Sequence, residues 1–444
     1  MKTFKIGGIH PEECKLSAGV AIEKMPLPTQ VAIPVAQHIG APATVVVAKG
    51  DKVKVGTLIA QASGFVSANV HSSVSGVVAK VDNELDAFGN RRQVVIIDVE
   101  GDEWEETIDL KGDFKRTFNL TSEEIIEKIK NAGIVGLGGA TFPTHVKLMP
   151  PPGKVAEVLI INAVECEPYL TSDHALMLEY ADEILIGVQL LMRAAKVNRA
   201  IIGIENNKKD AIALLQEKVS KLIGIEVCPL KMKYPQGSEK QLIDALIGRQ
   251  VPSGALPIEV GAIVQNVGTA FSVYEAIVKN KPLVDRIVTV TGKSLATPKN
   301  VLARIGTPMS ALIAYAGGMP DDTFKIIAGG PMMGRAIVNV EAPIQKGSSG
   351  VLLMSERESV RVEMDNCIRC GKCVSVCCMG LQPYLLMSLV EKKMWQEAEQ
   401  EAVYDCLECG SCSFTCPAHR PLLDYVRYGK ATVMKIMRER SVKK

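Results

Sequence analysis

Cys367-Ile-Arg-Cys370-Gly-Lys-Cys373-Val-Ser-Val-Cys377 recurs further on as Cys406-Leu-Glu-Cys409-Gly-Ser-Cys412-Ser-Phe-Thr-Cys416, followed by Pro417. Both runs have the spacing C-x2-C-x2-C-x3-C. Three thiolates at two-residue gaps reach three corners of a cubane, and the fourth, beyond a three-residue gap, ligates the other cluster in two-cluster ferredoxins. The spacing thus predicts two [4Fe-4S] clusters. Cys367, Cys370, Cys373 and Cys416 are assigned to one, and Cys406, Cys409, Cys412 and Cys377 to the other. Zinc is disfavoured because its sites pair C-x2-4-C ligands without a third equally spaced cysteine. A disulfide framework is disfavoured because the other 350-odd residues are nearly free of cysteine and no secretory signal is present. The chain therefore carries single electrons, and the upstream sequence is read as their source or sink.

A length of 444 residues suits two to four domains. Lys plus Arg number 51 and Asp plus Glu 49, for a net charge of +2, which gives no reason to invoke nucleic acid. Hydrophobic residues make up 47%, yet no apolar stretch reaches the roughly 18 residues that a membrane span needs. The best candidate, Ile184 to Ala195, is too short. Met1-Lys-Thr-Phe-Lys-Ile-Gly-Gly lacks an apolar signal region, so a reducing cytoplasm is expected, with membrane attachment only through partners.

Four domains are expected in order. Residues 1–115 read as a barrel-sandwich of biotinyl or lipoyl type. Short strands such as Val45-Val46-Val47, Leu58-Ile59-Ala60, Gly76 to Val81 and Val94 to Val99 alternate with Gly-rich turns. No Lys occupies an exposed carrier hairpin, so a docking role is favoured over a swinging arm. Residues 116–280 read as an open α/β domain. Thr121-Ser-Glu-Glu124 is a capping box before a helix carrying Ile125, Ile126 and Ile129 on one face, with Gly133 at its C-terminal end. Val158 to Ile161 and Ala200 to Ile204 are continuous apolar runs of buried parallel strands, separated by helical stretches at 173–195 and 207–221. Residues 281–355, with strands near Arg286 to Gly292 and Phe324 to Ala328 around a helical Ala311 to Tyr315, suit a β-grasp module. Residues 356–444 read as helical between and after the cysteine runs, with one helix over 383–402 and a basic amphipathic tail from Arg420.

A second constellation lies in the α/β domain. Ile134-Val-Gly136-Leu-Gly138-Gly139-Ala140-Thr-Phe142-Pro143-Thr-His-Val-Lys147 is a Gly-rich loop but not a dinucleotide fingerprint, since a helix precedes it and Thr141 stands at the third glycine position. Adjacent glycines let backbone N–H groups approach a phosphate or a flat ring, and Lys147 is placed to neutralise phosphate. Asn162-Ala-Val-Glu165-Cys-Glu167-Pro168 follows an apolar strand directly, where ligands bind in open α/β sheets. Taken alone it fits a capped turn with surface acids equally well. Gln265-Asn266-Val-Gly-Thr269 offers amides and a hydroxyl at another strand-to-helix junction. His10, His38 and His71 are read as structural, Cys14, Cys166 and Cys228 as ordinary unpaired thiols, and His419 as solvated.

The loop resembles the flavin loop of the NADH-binding subunit of respiratory complex I, Gly-Arg-Gly-Gly-Ala-Gly-Phe-Pro. The Asn162 segment resembles that family's Asn-Ala-Asp-Glu-Ser-Glu-Pro, and Gln265 to Thr269 its Asn-Asn-Val-Glu-Thr. The resemblance implies an FMN and nicotinamide site at Gly136, Gly138, Gly139, Phe142, Lys147, Asn162, Glu165, Glu167, Asn266 and Thr269. Leu137, Thr141, Val164 and Gly268 depart from it, replacing Arg, Gly, Asp and Glu. Along its whole length the chain resembles the C subunits of the Rnf ion-pumping ferredoxin:NAD oxidoreductases. Phe4-Lys-Ile-Gly-Gly-Ile-His10-Pro11, Gln37-His38-Ile39-Gly40-Ala-Pro42, the loop at 134–148, Ile327-Ala-Gly-Gly-Pro-Met-Met-Gly334 and both cysteine runs carry that match. Cys378 stands where Pro is expected and places a spare thiol beside Cys377.

A hydride is a two-electron carrier and a cubane accepts one electron, so a flavin is needed between NAD(H) and the clusters. The resemblance implies FMN, NAD(H) as substrate, and a peripheral position on the cytoplasmic face of the membrane. It also implies partner subunits of an Rnf-type complex, with ferredoxin reached indirectly and Na+ or H+ as the pumped ion. Glu165 and Glu167 would orient the nicotinamide ribose and flavin. Two alternatives stand beside this: a soluble NADH-dependent flavin and iron–sulfur reductase of the cobalamin reductase or hydrogenase diaphorase kind, and a cluster-bearing scaffold.

Overall fold

The computed structural model describes residues 1–111 and 119–442. The expected 115/116 domain boundary lies outside the described residues.

Two small sheets form the barrel-sandwich. One joins Gln30–Pro34, Arg91–Gly101, Ser75–Leu85 and Lys52–Val53, and the other joins Thr44–Val45, Leu58–Gln61 and Val70–His71. Their inward residues, among them Val31, Ile33, Ile59, Val70, Val78 and Ile97, belong to one buried apolar cluster. The long hairpin turns at Asp86, whose carboxylate accepts from Phe88 N and Asn90 N at 2.9 Å each.

The α/β domain is a four-stranded, all-parallel sheet in the order Ile225–Leu230, Ala200–Glu205, Val158–Asn162, Ala262–Asn266. Alternation along each strand sends successive side chains to opposite faces. Leu159, Ile161, Ile202 and Ile263 join the core under helices Ser122–Asn131, Ala181–Ala194 and Val267–Val278. Val158, Ile160, Ile201 and Val264 join a second cluster under helix Glu239–Ile247. Apolar helices on both faces explain why these strands read as unbroken hydrophobic runs. The capping box forms as expected, with Thr121 accepting from Glu124 N and Glu124 from Thr121 N. Gly133 follows with φ 65, the left-handed turn that glycine tolerates best. The helical stretch expected at 173–195 is instead two helices, Ser172–Glu179 and Ala181–Ala194, broken at Tyr180.

The third unit is a six-stranded mixed sheet in the order Ile22–Lys24, Lys299–Arg304, Asp285–Thr291, Gly350–Ser355, Thr323–Ala328, Arg335–Ala336. Its edge strand, Ile22–Lys24, comes from the N-terminal segment and pairs parallel with Lys299–Arg304. That segment also pairs Lys2 with Leu230 and Ile9 with Tyr234, and Gly8 N donates to Val376 O at 2.9 Å. Residues 1–24 thus run outside the barrel-sandwich and touch the α/β, β and helical units in turn. Hydrophobic patterning does not reveal this, because the pairing is made by backbone groups.

The helical unit packs Leu386, Leu389, Ala398, Val403, Val426 and Val433 into its own small core. The single helix expected over 383–402 is two, Pro383–Glu391 and Trp395–Gln400, with Lys393 at φ 57 between them. The break turns Ala398 inward beneath helix Leu422–Val442, so tertiary burial overrides a locally continuous helical propensity.

Helices Ala181–Ala194 and Val267–Val278 approach so closely at Gly187 that an added Cβ would lie 1.9 Å from Ala270 O. At an open helix position Gly→Ala stabilises by about 1 kcal/mol. Here overpacking wins, so Gly187→Ala is expected to destabilise by ~1–3 kcal/mol, read as a lower midpoint in thermal or urea unfolding. An unchanged or raised midpoint refutes the close approach.

Candidate functional site

Strands Val158–Asn162 and Ala262–Asn266 end level with one another, and Asn162 and Asn266 are register partners at the carboxyl end of the sheet. Asn266 caps helix Val267–Val278, its Oδ1 accepting from Gly268 N at 2.8 Å. Its Nδ2 donates to Asp173 Oδ2 at 2.8 Å. Asn162 Nδ2 donates to Gly237 O at 2.7 Å. Both amides are therefore fixed in orientation at the place where open α/β sheets bind ligands.

The Gly-rich loop crosses above this pair. Gly136 N donates to Phe142 O at 2.9 Å and Thr144 N to Ile134 O at 3.1 Å, closing the loop on itself. Thr269 Oγ1, buried, accepts from Leu137 N at 3.0 Å. Arg286 of the third unit donates to Leu137 O at 3.1 Å and to Ser348 O at 3.1 Å. The guanidinium missing at position 137 is thus matched by one that reaches the same backbone from another domain. A Cβ on Gly138 would meet the Asn266 side chain at 2.9 Å, whereas one on Gly139 would meet nothing within 4 Å. Gly138, Gly139 and Ala140 are exposed. The loop is pinned at both ends and its glycine crest is open, which fits a flat ring or phosphate brought against backbone N–H groups. Lys147 stands at the same edge, donating to Glu239 Oε1 at 2.7 Å and Val264 O at 3.2 Å.

The two glutamates of the Asn162 segment point apart. Glu165, at φ 45, caps helix Ser172–Glu179, accepting from Asp173 N at 2.7 Å and His174 N at 3.1 Å. Glu167 reaches the third unit, accepting from Met333 N at 2.8 Å and Met332 N at 3.1 Å. Burial pushes its carboxyl up to about 7. The structure therefore gathers Gly136, Gly138, Gly139, Phe142, Lys147, Asn162, Asn266 and Thr269 around the loop, and turns the Glu165 and Glu167 carboxylates to intramolecular backbone donors. It also adds a segment that sequence motifs alone do not single out. Tyr234 to Glu239 supplies Gly237 to Asn162 and Glu239 to Lys147, and its Ser238-x-x-Gln241 pattern at a helix start is the available signal.

In the helical unit, Cys377, Cys406, Cys409 and Cys412 line one cavity, together with Cys378 and apolar residues such as Leu381, Leu386, Leu423 and Val426. Cys377 comes from the first run and the other three ligand candidates from the second. Cys367 and Cys370 are exposed. Among the described residues no three His, Cys, Asp or Glu side chains converge tightly enough for a single metal ion, whereas four thiols spread around a cavity suit a larger cubane. The cavity abuts the α/β domain. Tyr234 Oη donates to Cys409 O at 2.8 Å, Gln241 Nε2 to Cys378 O at 3.0 Å, and a Cβ on Gly7 would lie 2.5 Å from the Cys377 carbonyl carbon.

The chain is similar to known proteins over most of its length. Residues 129–275 match the Nuo51 FMN-binding domain, residues 2–102 the RnfC barrel sandwich hybrid domain, and residues 287–336 the SLBB domain. The chain is 47% identical over 435 residues to the C subunit of the proton-translocating ferredoxin:NAD(+) oxidoreductase complex of Clostridium ljungdahlii, covering 97% of this chain and 94% of that one. It is 43% identical over 434 residues to the C subunit of the Na(+)-translocating ferredoxin:NAD(+) oxidoreductase complex of Acetobacterium woodii, covering 97% of each. Among solved structures, a chain of an NAD+-reducing [NiFe]-hydrogenase in the air-oxidized state shares the fold, with a TM-score of 0.51 and 20% identity. The match covers 70% of this chain and 63% of the hydrogenase chain.

Asp173 lies between Asn266 and Glu165, and burial, then the Glu165 charge, push its carboxyl up to about 6. An acid whose folded value exceeds its unfolded value near 3.8 loses stability as pH rises through that window. Asp173→Asn keeps an acceptor for Asn266 without the charge. It is expected to raise the thermal midpoint at pH 7 by more than at pH 4, and an equal effect at both refutes the assignment.

Proposed function

Because the chain belongs to the family of C subunits of the ion-translocating ferredoxin:NAD(+) oxidoreductase complexes, we propose that it is the subunit that exchanges electrons with NAD(H) through FMN and two [4Fe-4S] clusters. In such a complex ferredoxin oxidation and NAD+ reduction are coupled to Na+ or H+ transport. The observation that carries the reading is the open glycine crest over the Asn162–Asn266 pair, two hydrogen-bonded steps from a cysteine-lined cavity through Asn162, Gly237 and the Tyr234 segment.

FMN, when bound, takes a hydride and releases its two electrons singly, which the clusters accept one at a time. The chain's own work is positioning. Gly136, Gly138 and Gly139 present backbone to the ring or phosphate, and Phe142 closes the loop. Lys147 supplies a positive charge for phosphate, held off by Glu239 until a ligand arrives. Asn162 and Asn266 offer fixed amides, and Thr269 with Arg286 keeps the loop from collapsing onto them. Glu165 and Glu167 act on the shape of the turn beneath, one bracing a helix and the other bracing the third unit.

For the clusters, the shared cavity supports Cys377 joining Cys406, Cys409 and Cys412, and crossed ligation then leaves Cys416 to Cys367, Cys370 and Cys373. The first of these lies against the α/β domain and is the inner one. The second, with Cys367 and Cys370 exposed, is the outer one and faces the partner subunits. Among the described residues no helix is long and apolar enough to cross a membrane. In this reading the chain sits on the cytoplasmic face, held there through those partners.

Gly139→Val probes the flavin site with little effect on the fold, because its Cβ has open space. Retained FMN and NADH-to-artificial-acceptor activity are expected to fall about tenfold or more, equivalent to ~1.4 kcal/mol, with iron content unchanged. Lys147→Ala is expected to act in the same direction more weakly. Full FMN retention in Gly139→Val sinks the site.

Crossed ligation is checked by electron paramagnetic resonance of dithionite-reduced variants. Cys416→Ala is expected to damage the outer cluster and spare the inner one. Cys377→Ala combined with Cys378→Ala, which removes the spare thiol, should do the reverse. If Cys416→Ala instead removes the signal of the cluster held by Cys406, Cys409 and Cys412, ligation is local.

A further inference from the structure

One hydroxyl serves two acceptors at the join between the α/β domain and the inner cysteine cavity. Tyr234 Oη lies 2.8 Å from Cys409 O and 3.3 Å from Glu167 Oε1. A phenol carries a single proton, so with Glu167 ionised and Tyr234 donating to Cys409 O, a lone pair of Oη faces the carboxylate, whose Oε1 keeps only Met333 N as its donor. With a proton on Glu167 the chain is complete: Glu167 donates to Tyr234 Oη, and Tyr234 donates to Cys409 O. The carboxyl has no room to turn aside. Met332 N and Met333 N hold its two oxygens, and a Cβ on Gly330 would lie 2.2 Å from Oε2.

The charges around Glu167 are few. Lys15 is the cation facing it, with its ammonium on the carbonyls of Glu165, Glu167 and Leu170. Cys166 and Tyr234 are the other titratable neighbours, and burial pushes both up, so both keep their protons. From the third unit, Met332 N and Met333 N donate to Glu167. From the helical unit Arg427 donates to Met333 O but is paired with Glu408. Burial outweighs the hydrogen bonds and Lys15, leaving Glu167 poised at about 7.

We propose that Glu167, acting through Tyr234, is a positioning residue that takes up one proton as one electron arrives at the cluster held by Cys377, Cys406, Cys409 and Cys412. This rests on the inner-cluster reading above. The electron comes from the reduced flavin in turnover and from dithionite in the test, and the proton comes from solvent. The only bond formed is O–H on Glu167, and reoxidation returns both particles. Added negative charge beyond Cys409 favours the protonated carboxyl, and by linkage the proton favours the electron.

The test is a mediated redox titration of anaerobically purified full-length protein from pH 6 to 9, followed by electron paramagnetic resonance with iron counted. The inner cluster's midpoint potential is expected to be flat below about pH 7 and to fall above it. The limiting slope is about 59 mV per pH unit for one proton and one electron. Glu167→Gln keeps an N–H donor toward Tyr234, and its potential is expected to be flat across the range at the wild-type low-pH value. Tyr234→Phe is also expected to lose the slope, while the outer cluster in the same samples shows none. A pH-independent wild-type potential at full iron content, or a slope that survives in Glu167→Gln, overturns the proposal and leaves the cluster reading intact. Absence of the inner cluster's iron and signal overturns that reading, and the proposal with it.

Discussion

A single ammonium group holds the turn on which the two halves of the chemistry meet. Lys15 Nζ donates to the carbonyls of Glu165, Glu167 and Leu170 at 2.9, 2.9 and 2.6 Å, which uses all three of its donors. Those carbonyls converge because Glu165 and Tyr169 adopt left-handed backbone, φ 45 and 69. Such conformations cost non-glycine residues ~1–3 kcal/mol each and persist only where surroundings over-determine them. Here the surroundings are the ammonium and a backbone bond from Tyr169 N to Glu13 O at 2.9 Å. With the turn fixed, Glu165 must face the helix beneath the sheet and Glu167 must face the third unit. The glycine loop and the cysteine cavity are then referred to one rigid piece of chain.

The cores divide the labour differently. The barrel-sandwich and α/β domains share one continuous apolar cluster, running from Val31 and Ile59 through Ile125 to Ile263 and Val273. That shared burial makes the loop's foundation stiff, because close-packed interiors transmit displacement rather than absorb it. The helical unit instead keeps a small core of its own and meets the rest through directed polar contacts. Gln241 reaches Cys378 O, Tyr234 reaches Cys409 O, and Ser253 reaches the Asp405 carboxylate. Hydrogen bonds of this kind contribute about 0.5–1.5 kcal/mol each, but their angular demands fix orientation more sharply than apolar contact does.

What could be read from the amino-acid order was what is encoded locally. The capping box at Thr121, the apolar runs at Val158 and Ala200, and the strand-to-helix junction at Asn266 each signal through neighbours within a few residues, and each forms. Lys15, Arg286 and Tyr234 carry as much of the site but gave no such signal. Lys15 meets the Glu165 carbonyl 150 positions away, and Arg286 meets Leu137 O 149 positions away. Their partners are backbone carbonyls, which every residue has, so no side-chain pattern marks them. The same holds for strand Ile22–Lys24, whose place at the edge of a distant sheet is set by backbone pairing. The glutamates of the Asn162 segment were legible as a motif. Their opposite directions followed from two left-handed residues that sequence does not announce.

The threading of residues 1–24 across three units also orders events during synthesis. Gly8 and Val376, joined by a backbone hydrogen bond, are roughly 370 positions apart, and at about 5–20 residues per second the ribosome takes ~20–70 s to cover that distance. The barrel-sandwich strands that follow can pair long before then. The leading segment is made before all its partners, which emerge in stages: Leu230 and Tyr234, then the strand Lys299–Arg304, and last the first cysteine run. Its last fastening closes over Val376 and Cys377 only once the cysteine-bearing unit is in place.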